Sequence, residues 1–129
     1  MSAWKPTLDD LLRLHGKLIA RTGGSDGVRS LPLIESALQR FDAAFGGQEM
    51  YPTLTAKASA VCCGLVQNHG FVDGNKRIGM AALLLILSMN GVTLRYSQPE
   101  LVALGLAIAQ GEMDVQEVDA WIAAHREMT

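Results

Sequence analysis

One stretch of the chain, His69-Gly70-Phe71-Val72-Asp73-Gly74-Asn75-Lys76-Arg77, gathers most of the side chains that could act together in a reaction. An imidazole at His69 can take up a proton near neutral pH. A carboxylate at Asp73 can hold Mg²⁺ where phosphate oxygens supply the other ligands. Gly74 lets the backbone come close to a ligand, and Asn75, Lys76 and Arg77 add donors and two positive charges. A helix starting at Asn75 presents unpaired N–H groups and the positive end of its dipole at the same point. The ligand this combination suits is an anion, phosphate above all. Cations at a helix N-terminus oppose the dipole by roughly 0.3–1 kcal/mol each, so two adjacent ones suggest that an anion is expected there. Plainer readings stand beside these. Lys76 and Arg77 can be solvated charges flanking an apolar helix, Asp73 a simple N-cap, and His69 a structural histidine. Phe71 can plug the core and fix the turn, or face a base.

The elements that must position these residues read as helices with short connections. A first helix runs from about Leu8 to Arg21, with Thr7 as cap, Asp10 completing a capping box and Gly23-Gly24 as the stop. Leu8, Leu11, Leu12, His15, Leu18 and Ile19 share one face. A glycine- and serine-bearing loop follows, through Arg29. A second helix spans about Pro32 to Ala43, and the segment from Gly46 to Pro52 reads as a loop or a short hairpin-like flap. The third helix, about Leu54 to Asn68, leads into the His69–Gly74 turn, and the fourth runs from Asn75 to about Asn90 with Gly91 as its stop. Its middle, Met80 to Leu87, is apolar on every side, which predicts a helix in the centre of a bundle. Thr93 to Tyr96 reads as a short extended piece. Ser97 with Glu100, and Asp114 with Glu117, open two further helices. The expected fold is all-α: a compact six-helix bundle around a buried central helix, with residues 1–129 as one domain.

Composition narrows the function classes. Of 129 residues 49% are hydrophobic and 19% charged, which argues against disorder. Eleven Lys and Arg against thirteen Asp and Glu leave a formal charge of −2, so a broad basic face for nucleic acid is not expected. No G-x-x-x-x-G-K-[ST] loop and no G-x-G-x-x-G is present. The only cysteines, Cys62 and Cys63, are adjacent and read as small buried apolar residues. With no apolar leader at the N-terminus and no run long enough to span a bilayer, a cytoplasmic protein without membrane partners is expected.

The nine residues from His69 to Arg77 resemble the signature of the Fic/Doc superfamily, whose general form is H-x-F-x-[DE]-[GA]-N-[GK]-R. Lys76 in place of glycine, and the Asn90-Gly91 and Ser97–Leu101 stretches, are similar to the Doc (death-on-curing) toxin branch. The resemblance implies protein phosphorylation: transfer of the ATP γ-phosphate, with Mg²⁺, to a hydroxyl of elongation factor Tu, arrest of translation, and neutralisation by a Phd-like antitoxin. It implies His69 as the base for the target hydroxyl and Asp73 as the Mg²⁺ ligand. Phe71, Gly74 and Asn75 would belong to the ATP-binding turn. Lys76 and Arg77 would contact phosphates and offset transition-state charge. The segment from Gly46 to Thr53 would be the flap that docks the target.

The chain departs from the Doc pattern in three places. Gly70 replaces an aliphatic residue and is expected to give a more mobile turn, Gly74 is the choice of Fic proteins, and Gln67 stands where Doc carries an arginine that contacts phosphate. The inhibitory S/T-x-x-x-E-[GN] motif of self-inhibited Fic proteins is not recognisable, so inhibition would come from another chain. AMP transfer to a protein is the alternative reaction, and a non-catalytic binding module that keeps the fold is the alternative class. A helix-turn-helix DNA binder fits poorly, because the helix after the turn is too apolar to lie in a groove.

Overall fold

The computed structural model describes residues 3–128. Within them the chain forms α1 (Leu8–Thr22), α2 (Leu31–Gln39), a 3-10 turn (Arg40–Asp42), β1 (Ala44–Phe45), β2 (Gln48–Glu49), α3 (Leu54–Asn68), α4 (Asn75–Met89), α5 (Gln98–Ala109) and α6 (Val115–His125). The architecture is all-α, as expected, with one small antiparallel hairpin.

Local chemistry explains the helix starts. Thr7 and Asp10, Ser97 and Glu100, and Asp114 and Glu117 form reciprocal capping boxes, while Ser30 and Thr53 each accept an N–H of the first turn. The second helix is shorter than the sequence pattern implies. After Gln39 its hydrogen bonding tightens into the 3-10 turn, which carries Phe41 into the core. The flap is a hairpin: Ala44 pairs with Glu49 and Phe45 with Gln48 across a Gly46-Gly47 turn. The extended piece near Leu94 forms a single bridge, to Arg126.

The centre of the bundle differs in one respect from the expectation. α4 is buried along Ile78, Gly79, Ala82, Leu83, Ile86 and Leu87, but Met80, Ala81, Leu84 and Leu85 keep partial exposure. α3 lies deeper, with every residue from Lys57 to Val66 buried. Its residues there include Ala58, Ser59, Ala60, Cys62, Cys63 and Gly64, whose small volume lets neighbouring helices close in on all sides. Apolarity marked α4; side-chain size decided for α3. Cys62 and Cys63 are buried free thiols, and burial pushes Cys63 up to about 11, so both are inert packing residues. These two helices pack side by side, the His69–Gly74 turn joins the end of α3 to the start of α4, and their burial makes that turn a fixed point of the molecule.

Candidate active site

His69 is the C-cap of α3 and adopts left-handed backbone angles, φ 52° and ψ 47°. Its main chain is held from outside the motif. Arg29 Nε donates to the His69 carbonyl at 2.7 Å, and a second guanidinium nitrogen donates to the Asn68 carbonyl at 3.3 Å. A cation over the last carbonyls of a helix is favourable for the same reason that an anion is at its start. The His69 side chain is exposed and makes no hydrogen bond among the described residues, so its ring is free to meet a substrate.

Gly70 corrects one expectation. Its carbonyl accepts from the N–H groups of both Arg29 and Ser30 at 2.8 Å. A Cβ here would lie 2.5 Å from Ile34 Cγ1. The glycine therefore permits a close approach of α2 and pins the turn.

Phe71 requires a second correction. Its ring is 2% exposed and stacks on His15, with centroids 3.8 Å apart and planes 14° apart. Such a ring cannot face a ligand, so the expected contact with ATP falls away and the side chain is an anchor. Burying a ring of this size stabilises the fold by about 1.5–3 kcal/mol. Asn75 completes the anchor: its Oδ1 accepts from Phe71 N–H at 3.0 Å and its Nδ2 donates to the Phe71 carbonyl at 3.1 Å. One amide thus satisfies both main-chain groups of a buried residue.

Gly74 starts α4 at φ 77°, and no side chain caps this helix. The N–H groups of its first turn therefore lack an intrahelical acceptor. They belong to residues that line an open cavity of about 360 Å³, bounded by His69, Val72, Asp73, Gly74, Asn75, Lys76 and Arg77. Of the seven residues expected to act, all but Phe71 line this cavity. Gln67 is not among its lining residues; its amide leans on the Ile108 carbonyl at 3.4 Å.

The charges in the cavity divide the labour. Lys76 is exposed and makes no side-chain hydrogen bond among the described residues. Arg77 is not equivalent to it. One terminal nitrogen donates to the Gly23 carbonyl at 2.7 Å and to the Thr22 hydroxyl, and the other lies 3.7 Å from Asp73 Oδ1. Arg77 therefore braces the end of α1, a task that the sequence pattern did not indicate. Asp73 accepts Ser25 N–H at 3.2 Å on one oxygen and Gly74 N–H at 2.8 Å on the other. These backbone bonds, the Ser25 bond first, hold its carboxyl below the usual carboxylate range.

The exposed, ionised Asp73 carboxylate keeps lone pairs for a hard cation. No cluster of three or more His, Cys, Asp or Glu side chains able to hold a metal exists among the described residues. Such a donor set fits Mg²⁺ carried by phosphates, which ordinarily needs only one or two carboxylates from protein. Sequence reading missed Ser25, Arg29 and His15, which reach the motif from α1 and the loop after it. Only His15 left a trace, as a polar residue within an apolar stripe.

Comparison with known proteins identifies the family. Residues 5–87 match the model of the Fic/DOC family. The chain is 43% identical over 72 residues to a protein of Mycolicibacterium smegmatis named Toxin Doc, a match covering 56% of this chain and 55% of that relative's length. It is 31% identical over 110 residues to Protein kinase doc of Escherichia phage P1, covering 85% of this chain and 86% of the relative. With the family match covering most of the chain and the phage relative aligned over nearly its whole length, the chain belongs to the Fic/DOC family.

Proposed function

We propose that this protein is a Doc-type toxin that phosphorylates a protein hydroxyl with ATP. The observation that carries the reading is the uncapped N-terminus of α4, which opens into one cavity with an unengaged imidazole, an ionised carboxylate and a free ammonium. In this scheme the first-turn N–H groups and Lys76 hold phosphate oxygens and offset the charge of a loose transition state. Mg²⁺, held by Asp73 together with the nucleotide, supplies further charge neutralisation when bound. The target hydroxyl gives its proton to His69 as its oxygen bonds to the γ-phosphorus; the bond to the β–γ bridging oxygen breaks and ADP leaves. The relative named Protein kinase doc supports this direction of transfer.

Elongation factor Tu is the proposed substrate and translational arrest the proposed consequence; a Phd-like antitoxin, encoded beside the toxin, is the proposed neutralising partner. The cytoplasm is the proposed compartment; no helix among the described residues is long and apolar enough to cross a membrane. Incubation of the protein with elongation factor Tu and ATP labelled at either the γ- or the α-phosphate tests the reaction. Label entering only from the γ-position is expected. Label entering only from the α-position would replace the kinase reading with AMP transfer, which Gly74, the residue of Fic proteins at this place, keeps as the second reading.

A further inference from the structure

We propose that His15 is the positioning residue of the Asp73 site, setting the metal-holding carboxylate from beneath through the Asp73 main chain. The proposal rests on the reading of Asp73 as the group that holds the cation. His15 lies on α1, far from the motif in sequence, and is 1% exposed. Its Nε2 lies 2.7 Å from the Asp73 carbonyl. A carbonyl only accepts, so the proton sits on Nε2 and is donated to that oxygen. The same ring stacks on Phe71, two residues earlier in the motif. Its other nitrogen, Nδ1, faces Asp26 Oδ1 at 3.5 Å. Asp26 follows Ser25, whose N–H holds the Asp73 carboxylate itself.

One buried side chain therefore touches the motif before and at Asp73, and the loop that binds the Asp73 carboxylate. The Asp73 peptide has little freedom to turn while His15 holds its carbonyl. Its side chain leaves the same α-carbon, so a turn of this backbone would carry the carboxylate away from the Ser25 and Gly74 N–H groups that hold it. Gly74, at φ 77°, sits directly against the same part of α1: a Cβ there would lie 3.1 Å from Ile19 Cδ1 and in contact with His15 Nε2. Without the donor, the Asp73 carbonyl loses this partner and the segment is free to rotate toward water. A ligand shell for Mg²⁺ demands near-ideal geometry, so a small rotation weakens the site.

His15→Gln and His15→Met test this as a pair. The two side chains are nearly isosteric and both forfeit the stacked ring, but only glutamine offers an N–H. The readout is binding of Mn²⁺ with a non-hydrolysable ATP analogue, followed by electron paramagnetic resonance. The Met variant is expected to bind Mn²⁺ about tenfold more weakly than the parent and the Gln variant within about threefold of it. Equal binding by the two variants, whether weakened or not, would overturn the proposal, since packing alone would then account for His15. A parent that binds no Mn²⁺ would remove the Asp73 reading and the proposal together. If neither variant folds, ¹⁵N–¹H spectra of the parent decide: a slowly exchanging proton on His15 Nε2 is expected, and its absence from that nitrogen rules the proposal out.

Discussion

His69 holds an exposed, left-handed position at the end of a buried helix, and any test of its chemistry has to respect that backbone. Asparagine adopts left-handed angles more readily than most residues. His69→Asn should therefore keep the turn while removing the base. The expected result is a loss of about 10²–10⁴-fold in transfer rate with an unchanged circular dichroism spectrum. Full retention of rate would remove His69 as the proton acceptor. Lys76 and Arg77 should separate at this same scale. Lys76→Met, which removes a free ammonium facing the cavity, should weaken nucleotide binding and leave thermal stability within about 0.5 kcal/mol. Arg77→Met takes away the brace on Gly23 and Thr22, so it should lower the melting temperature as well. Equal melting temperatures for the two variants would show that the brace contributes nothing to stability.

At the scale of elements, the helices were legible because their start signals are local. Three capping boxes and two further caps lie within a few residues of the turns that they close. The motif was legible for the same reason, being continuous in sequence. What could not be read were contacts made by chain folding. Nothing in the order of residues brings Arg29 to the His69 carbonyl, Ser25 to Asp73 or α2 against Gly70. The relative depth of α3 and α4 was hidden too, since periodicity reports polarity and α3 sinks because its residues are small. The flap has an anchor of this hidden kind. Lys57, 8% exposed on α3, donates to the Phe41 carbonyl and to Glu49 Oε1 on β2, each at 3.0 Å. Its ammonium also sits 5.6 Å from the centre of the Phe41 ring. Lys57→Met keeps the stem but leaves the Phe41 carbonyl unpaired, at a cost of about 1–3 kcal/mol. Amide exchange should then accelerate across Ala44–Glu49 while that of α4 is preserved. Unchanged exchange in the hairpin would mean that its own turn, and not the core, keeps it in place.

Over the whole molecule, charge is sparse, and one pair closes the end of the bundle away from the motif. His125, at the C-terminus of α6, points Nδ1 at the Trp121 carbonyl and Nε2 at Glu100 Oε2, each at 2.8 Å. Both partners only accept, so both ring nitrogens carry protons and the ring is an imidazolium. It stacks on Trp121 with centroids 3.9 Å apart. Glu100 in turn caps α5 through Ser97 N–H, so one ionic contact ties the start of α5 to the end of α6. The Trp121 carbonyl, with Glu100 after it, raises the pKa of His125 above its usual value. The Ser97 backbone bond, with His125 after it, pulls Glu100 down to about 2. A raised base contributes its full stabilisation below its unfolded pKa and loses it as pH climbs through the folded one. A depressed acid contributes fully above its unfolded pKa and loses it as pH falls toward the folded one. Both contributions are complete only between about pH 4.5 and 6.5. The melting temperature of the parent should decline as pH rises from about 6 to 8.5, because unfolding releases His125 to its lower pKa. In His125→Gln that decline should be shallower. The difference between the two curves isolates the clasp, and parallel curves across this range would show that His125 does not carry the charge assigned to it.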